Sequence, residues 1–258
     1  MFAKALLGFL LLFALFATIE RRCGLHRQRL FRRGWTTDAI YYATGNLIGQ
    51  GAAIAIPALL ALSVLKWAVS PGLQAWVAAQ PVALQLPAVV FFAELGYYWA
   101  HWLLHHVPWL WRFHAVHHSS EQLDWLSTVR VHPVDQVFTK TFQLVPIFLL
   151  GFSVETLGLY ALFSSAIAFF IHANLRWRFG WFNWLLVTPE FHHWHHADEA
   201  QAHNKNLAAQ CSLVDRLFGS FYLPRRRPRL YGIPESVPQA YWQQLIYPFT
   251  RHQRHARP

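Results

Sequence analysis

The sequence predicts an all-α integral membrane fold of about four transmembrane helices, with a cytoplasmic helical cap that carries the histidines. Three observations point there. Hydrophobic residues make up 55% of the 258 and charged residues only 13%, where a soluble domain carries roughly 25% charged. Several apolar runs reach spanning length, and arginines crowd beside them. The net charge of +10 argues for anionic membrane lipids as partners and against nucleic acid, because the arginines border apolar segments and are not interleaved along a recognition element. Cys23 and Cys211 lie far apart with no Cys-x-x-Cys spacing, which points away from a disulfide framework and from a cysteine zinc site.

Taken in order, residues 2–19 (FAKALLGFLLLFALFATI) hold one charge and form the first span. No small-x-small cleavage signal precedes the following ERRCGLHRQRLFRR, so the segment reads as an uncleaved anchor. Arg21, Arg22, Arg27, Arg29, Arg32 and Arg33 fall in that stretch, and the positive-inside rule puts it in the cytoplasm. Residues 40–65 return across the bilayer, with Pro57 permitting a kink. The loop 66–85 has a single basic residue, Lys66, and is read as external. Residues 86–104 then bring the chain back inside, and the 70–80 stretch makes a fifth span if it also inserts. The apolar tract 141–171 breaks at Gly151-Phe152-Ser153 into pieces of roughly 10 and 18 residues, a helical hairpin entered from the cytoplasmic side. The chain therefore divides into membrane anchor helices and an outside loop (1–85), a histidine-bearing core (86–225) and a basic cytoplasmic tail (226–258). Arg251, Arg254 and Arg257 continue the basic pattern of PRRRPR at 224–229, either as a solvated surface or as a contact for anionic phospholipid.

Thirteen of the sixteen histidines fall between His101 and His203. In HWLLH, His101 and His105 are four apart and share one face of a helix. HAVHH places His114 three and four residues before His117 and His118, and HHWHH repeats the spacing with His192, His195 and His196. One such triple reads equally as a chance cluster or a pH-sensitive patch; three boxes in one chain read as metal ligands. His172, at the end of an apolar run and at the mouth of the hairpin, is counted as the ninth. His106 and His193 point about 100° away from ligand neighbours and take structural roles, while His26, His252 and His255 sit in basic exposed stretches. Nine imidazoles exceed the four to six donors of one first-row ion, so two ions are required; nitrogen donors suit iron, zinc or copper alike. Glu94, two helical turns before His101, heads the carboxylates that would balance their charge, followed by Asp124, Asp135, Glu190, Asp198 and Asp215. Glu94, His132 and Asp215 are the candidates for supporting the ligands from behind.

The succession ELGYYWAHWLLHHVPWLWRFHAVHH (94–118), RVHP (130–133), HAN (172–174), TPEFHHWHH (188–196) and DRLFGSFY (215–222) resembles the fatty acid hydroxylase / sterol desaturase superfamily of membrane di-iron, histidine-box oxygenases. It is most similar to the bacterial lipid hydroxylases and alkylglycerol monooxygenase-like members. The resemblance implies that the nine histidines hold two iron ions, with O2 as co-substrate, and that the site hydroxylates a C–H bond of a lipid drawn from the bilayer. A desaturase using the same di-iron site is the alternative, and a histidine-based metal transporter or sensor the remote one. No nucleotide fingerprint such as G-x-G-x-x-G is present, so the resemblance also implies a separate electron donor, ferredoxin- or cytochrome-type with its reductase. The expected location is an integral membrane one, the cell inner membrane if the source is bacterial, with the active site on the cytoplasmic side.

Overall fold

A computed structural model of the chain describes residues 2–45 and 50–250. Among these the secondary structure is helical, with one isolated antiparallel bridge between Ala197 and Tyr231 and no named strand. Arg251, His252, Arg254, His255 and Arg257 lie outside the described residues.

The first helix, α1 (Phe2–Cys23), runs past the expected end through Glu20, Arg21 and Arg22, because nothing in that stretch breaks a helix before Gly24. The second predicted span begins earlier, as α2 (Trp35–Thr44), and resumes as α3 (Gln50–Leu59), which loosens into a π-helical turn over Leu60–Val64 just after Pro57. Proline removes an amide from the ladder, and a wider turn is one way to absorb the defect. The 70–80 stretch forms α4 (Pro71–Ala78), eight residues started by the Ser70 cap. At about 1.5 Å per residue it is too short to cross a bilayer, which removes the fifth span.

The long helix α5 (Val82–His106) ends where Pro108 forces Val107 into extended backbone, and the same proline starts α6 (Pro108–His118). This sharp turn places the first two histidine boxes side by side. The hairpin breaks where the sequence indicated, at Gly151, whose φ of 76° suits glycine. Its first arm is longer than expected: α7 (Pro133–Leu150) has 18 residues, capped by the His132 side chain, and α8 (Val154–His172) has 19. Asp135, Gln136, Thr139 and Lys140 hid the early turns from a reading based on apolar length.

Helices α5, α7 and α8 pack around Val89, Ala93, Ile147 and Tyr160. A Cβ on Gly96 would strike the Phe142 carbonyl oxygen, so glycine sets the closeness of α5 to α7. A second cluster joins Phe16 of α1 and Tyr42 of α2 to Trp125, Ala173 and Leu175. Two short helices follow, α9 (Pro189–His195) and α10 (Leu213–Leu217), and then α11 (Tyr241–Ile246). Among the described residues two helices, α5 and α8, are long and apolar enough to cross a membrane; only 28% and 22% of their most apolar windows are buried, so most of those side chains are not part of the core.

Candidate metal centre

The three histidine boxes sit on helix ends that meet at one place. His101 and His105 occupy the last turns of α5, His114, His117 and His118 the end of α6, and His192 and His195 the end of α9, with His196 as its cap. Thr188 caps α9 and Pro189 is its first residue. Glu190 fixes that helix from outside, accepting from the Arg178 guanidinium at 2.5 Å and from the Phe179 amide at 3.0 Å. His172 closes α8.

The nine rings form two sets. His101, His105, His114, His118 and His195 make one, and His117, His172, His192 and His196 the other; within each, the nearest nitrogens all lie within 4.8 Å of one another. Side chains from 101–118 and from 192–196, distant in sequence, meet with ring centroids 4.5 Å apart at His101 and His195. The sets adjoin: His118 stacks on His196 at 4.5 Å, and His117 lies 4.7 Å from His196. Each HxxHH box serves both, because residues at i and i+4 stack on one face while i+3 is turned about 100° from i+4. In α6 the i, i+4 pair (His114, His118) enters the first set and His117 the second. In α9 the assignment is exchanged, with His192 and His196 in the second set and His195 in the first.

Hydrogen bonds decide where the ring protons sit. His101 Nδ1 faces the Leu207 carbonyl at 2.6 Å, His117 Nδ1 that of Arg130 at 3.1 Å, His172 Nδ1 that of Ala168 at 2.9 Å and His195 Nδ1 that of Lys205 at 2.9 Å. A carbonyl oxygen only accepts, so each of these rings carries its proton on Nδ1 and turns an Nε2 lone pair inward. His114 Nδ1 donates likewise to the Asp135 carboxylate at 2.8 Å. The inward atoms then oppose one another: His101 Nε2 is 2.9 Å from His114 Nε2, and His117 Nε2 is 3.3 Å from His172 Nε2. Two lone pairs cannot share a hydrogen bond, and at this distance they repel. A cation between them removes the conflict, since imidazole nitrogens about 2.1 Å from one ion at right angles stand about 3 Å apart. The Nε2 atoms of His105 and His195 are buried without any hydrogen-bond partner. His192 and His196 differ, for their Nδ1 atoms are the unpartnered ones and no protein group fixes their tautomer. Burial holds His117 and His195 down to about 3 and His114, His118, His192 and His196 well below the ordinary histidine value, so these rings are neutral at pH 7. Nine convergent imidazoles, five of them with protons fixed outward, therefore fit metal cations.

The residues behind the rings divide unequally. Asp135 is the carboxylate that touches a ring directly. Glu94 and Asp215 touch none, and work on backbone instead. Glu94 accepts from the amides of Ala209, Gln210 and Cys211, and Asp215 from those of Leu207 and Ala208. Together they hold the 207–211 strip whose Leu207 carbonyl orients His101. His132 is spent on capping α7, with Nδ1 accepting from the Val134 amide and Nε2 donating to the Leu245 carbonyl. His193 bonds the Tyr231 hydroxyl and the Ala173 carbonyl, and His106 is exposed and stacks on Trp102. His26, expected on the surface, is half-buried with its ring 3.1 Å from the same Tyr231 hydroxyl.

Sequence reasoning did not anticipate the orienting carbonyls of Arg130, Lys205 and Leu207, which carry no side-chain signature. It also missed a buried ion network. Arg32 Nη2 reaches Asp38 at 2.7 Å and Asp124 at 2.6 Å, and Arg130 Nε reaches Asp38 at 2.6 Å. Arg32, one of the six arginines read from sequence as cytoplasmic, is only 4% exposed. Through Arg130 this network abuts the His117 ring.

Asp135→Asn keeps an acceptor on His114 but removes its charge. The substitution is expected to weaken metal retention about 10- to 100-fold, measured as the rate of iron loss to a chelator; unaltered retention would refute the role given to Asp135.

Comparison with known proteins agrees with the geometry. Over 180 residues the chain is 33% identical to ornithine lipid hydroxylase OlsE of Rhizobium tropici, covering 69% of this chain and 54% of that protein. It is 31% identical over 144 residues to alkylglycerol monooxygenase of Xenopus tropicalis and 29% to that of Homo sapiens, in each case 56% of this chain and 32% of the relative. The chain thus spans about half the length of the first relative and about a third of the other two. No solved structure matches it significantly. The model described as fatty acid hydroxylase covers residues 86–220, a segment containing all nine convergent histidines, and on that match the chain belongs to the fatty acid hydroxylase family.

Proposed function

We propose that this protein is a membrane-bound di-iron oxygenase that hydroxylates a C–H bond of a lipid. The observation that carries the reading is the opposition of unprotonated imidazole nitrogens in two adjoining sets. The five-histidine set of His101, His105, His114, His118 and His195 would hold one iron, and the four-histidine set of His117, His172, His192 and His196 the other. Bound there, the iron pair supplies reductive activation of O2 for insertion of one oxygen atom into the C–H bond, the second atom leaving as water. Two electrons and two protons are consumed, so a ferredoxin- or cytochrome-type donor must dock from the aqueous side. The protein's own contribution is position. Nδ1 protons locked on carbonyls keep the rings neutral and aimed, and Asp135 offsets part of the cationic charge.

Placement in the membrane follows from where the ligands gather. Both α5 and α8 end in ligand histidines, which supports one face for the whole centre and disfavours a transport path strung through the spans. We read α1, the α2–α3 segment, α5 and the α7–α8 hairpin as the membrane base, about four spans, with residues 86–225 as the catalytic unit. The arginines after α1 support a cytoplasmic side for the centre, in the inner membrane if the source is bacterial. Anionic lipids would meet the basic surfaces. The relatives' named substrates, an ornithine lipid and alkylglycerols, make a polar-headed bilayer lipid the class of choice.

The test is comparative lipidomics of the host with and without the gene. A lipid class gaining one oxygen atom is expected; loss of two hydrogens instead would make the protein a desaturase, and no lipid change with iron-loaded, reductant-supplied protein would refute the proposal.

A further inference from the structure

The cap carries an apolar apron that the metal centre does not explain. α10 buries Val214 and Asp215 but turns Leu217 outward, 67% exposed, followed by Phe218 at 40%. Beside it the turn Gly180–Trp184 exposes Trp181 and Trp184, at 62% and 55%. Trp99 of α5 lies 5.0 Å from Phe218, ring centroid to ring centroid, so the apron is continuous with the outward-facing Phe91 and Phe92 of the same helix. Contiguous apolar surface of this kind marks a membrane or a protein partner. The cations within it favour the membrane. Arg216 lies between two rings, its guanidinium carbon 3.3 Å from the Trp184 centroid and 4.0 Å from that of Phe221. Among the described residues no carboxylate pairs with it. Lys205 adds a second positive charge, its ammonium 3.4 Å from the Gly219 carbonyl. Tryptophan beside an arginine and a lysine that form no salt bridge among the described residues is the composition of a bilayer interface.

We infer that this apron, made by α10, the 180–184 turn and the adjoining end of α5, rests in the headgroup region of the bilayer, with Arg216 as the anchor for the phosphate of an anionic phospholipid. The inference rests on the reading of α5 as a span and adds that part of the cap itself is immersed. Immersion would bring the outer wall of the metal centre to the depth where a lipid headgroup meets its chain.

The experiment uses the full chain in phospholipid nanodiscs. Leu217→Cys and Phe92→Cys are made separately in a Cys23→Ser, Cys211→Ser background, labelled with a small fluorophore, and exposed to iodide or to nitroxide lipids of graded depth. Shallow nitroxides are expected to quench the Leu217 label, with iodide excluded, and deep nitroxides the Phe92 label. A Leu217 label open to iodide, or shielded from both quenchers, while Phe92 is still lipid-quenched, would overturn this inference alone. Failure of lipid quenching at Phe92 would overturn the span as well. Arg216→Gln is expected to lower co-purified anionic phospholipid about fivefold, with helix content unchanged by circular dichroism. Unchanged retention in a folded variant would remove Arg216 as the anchor.

Discussion

His118→Ala and His196→Ala, one from each set, will each reduce oxygenated lipid product to the level of a strain lacking the gene. Iron bound per chain will fall from two towards none, because α6 and α9 each present donors to both sets. The physical reason is the absence of a substitute donor. His118 Nε2 lies 3.1 Å from His114 Nε2, and His196 Nε2 is 3.1 Å from His192 Nε2, and both rings are almost fully buried. Alanine leaves a gap lined by imidazoles whose own nitrogens already face the same two points. Neither residue lies within α5 or α8, so membrane insertion is expected to be retained, as checked by carbonate extraction. Iron by mass spectrometry and product by lipidomics decide the matter together. Turnover surviving in either variant would show the ligand assignment to be wrong.

Asp38→Ala is the second large effect, and it acts on stability. The Asp38 carboxylate is wholly buried between Arg32 and Arg130. Its loss leaves two guanidinium groups facing each other in a low-dielectric interior, and removing one partner of a buried ionic cluster costs about 3–5 kcal/mol. Asp124 still holds Arg32, but Arg130 keeps only the Ser119 hydroxyl at 3.4 Å and the Gly34 carbonyl at 3.3 Å. Thermal unfolding of detergent-solubilised protein should move down by roughly 10 °C. Because the Arg130 carbonyl accepts the His117 proton, iron should also leave the variant faster. An unchanged midpoint would mean that the network adds no net stability.

The histidine boxes were legible because helical geometry converts spacing into direction: residues at i, i+3 and i+4 converge wherever the backbone is helical, and all three boxes lie at helix ends. His172 was legible only by its place at the end of an apolar run. The division between the two sets was not. It depends on how α6 and α9 face each other, which local spacing does not encode. Nor were the orienting carbonyls legible, since every residue has one and only the path of the chain chooses which is used. The burial of Arg32 was not legible because an arginine beside an apolar run has two explanations, a charged surface or a buried partner, and its partners Asp38 and Asp124 are 6 and 92 residues away. The early turns of α7 escaped for the converse reason. Their polar side chains include a face turned to the metal centre, as Asp135 shows by bonding His114.

The exchanged use of the two HxxHH boxes has a consequence for how the centre is assembled. With an ion in each set, each of those short helices would be gripped at both positions, and filling one position would stiffen the helix that must present donors to its neighbour. Loading would then be cooperative: chains carrying a single ion should be scarce, and scarcity of iron should divide the population into full and empty molecules.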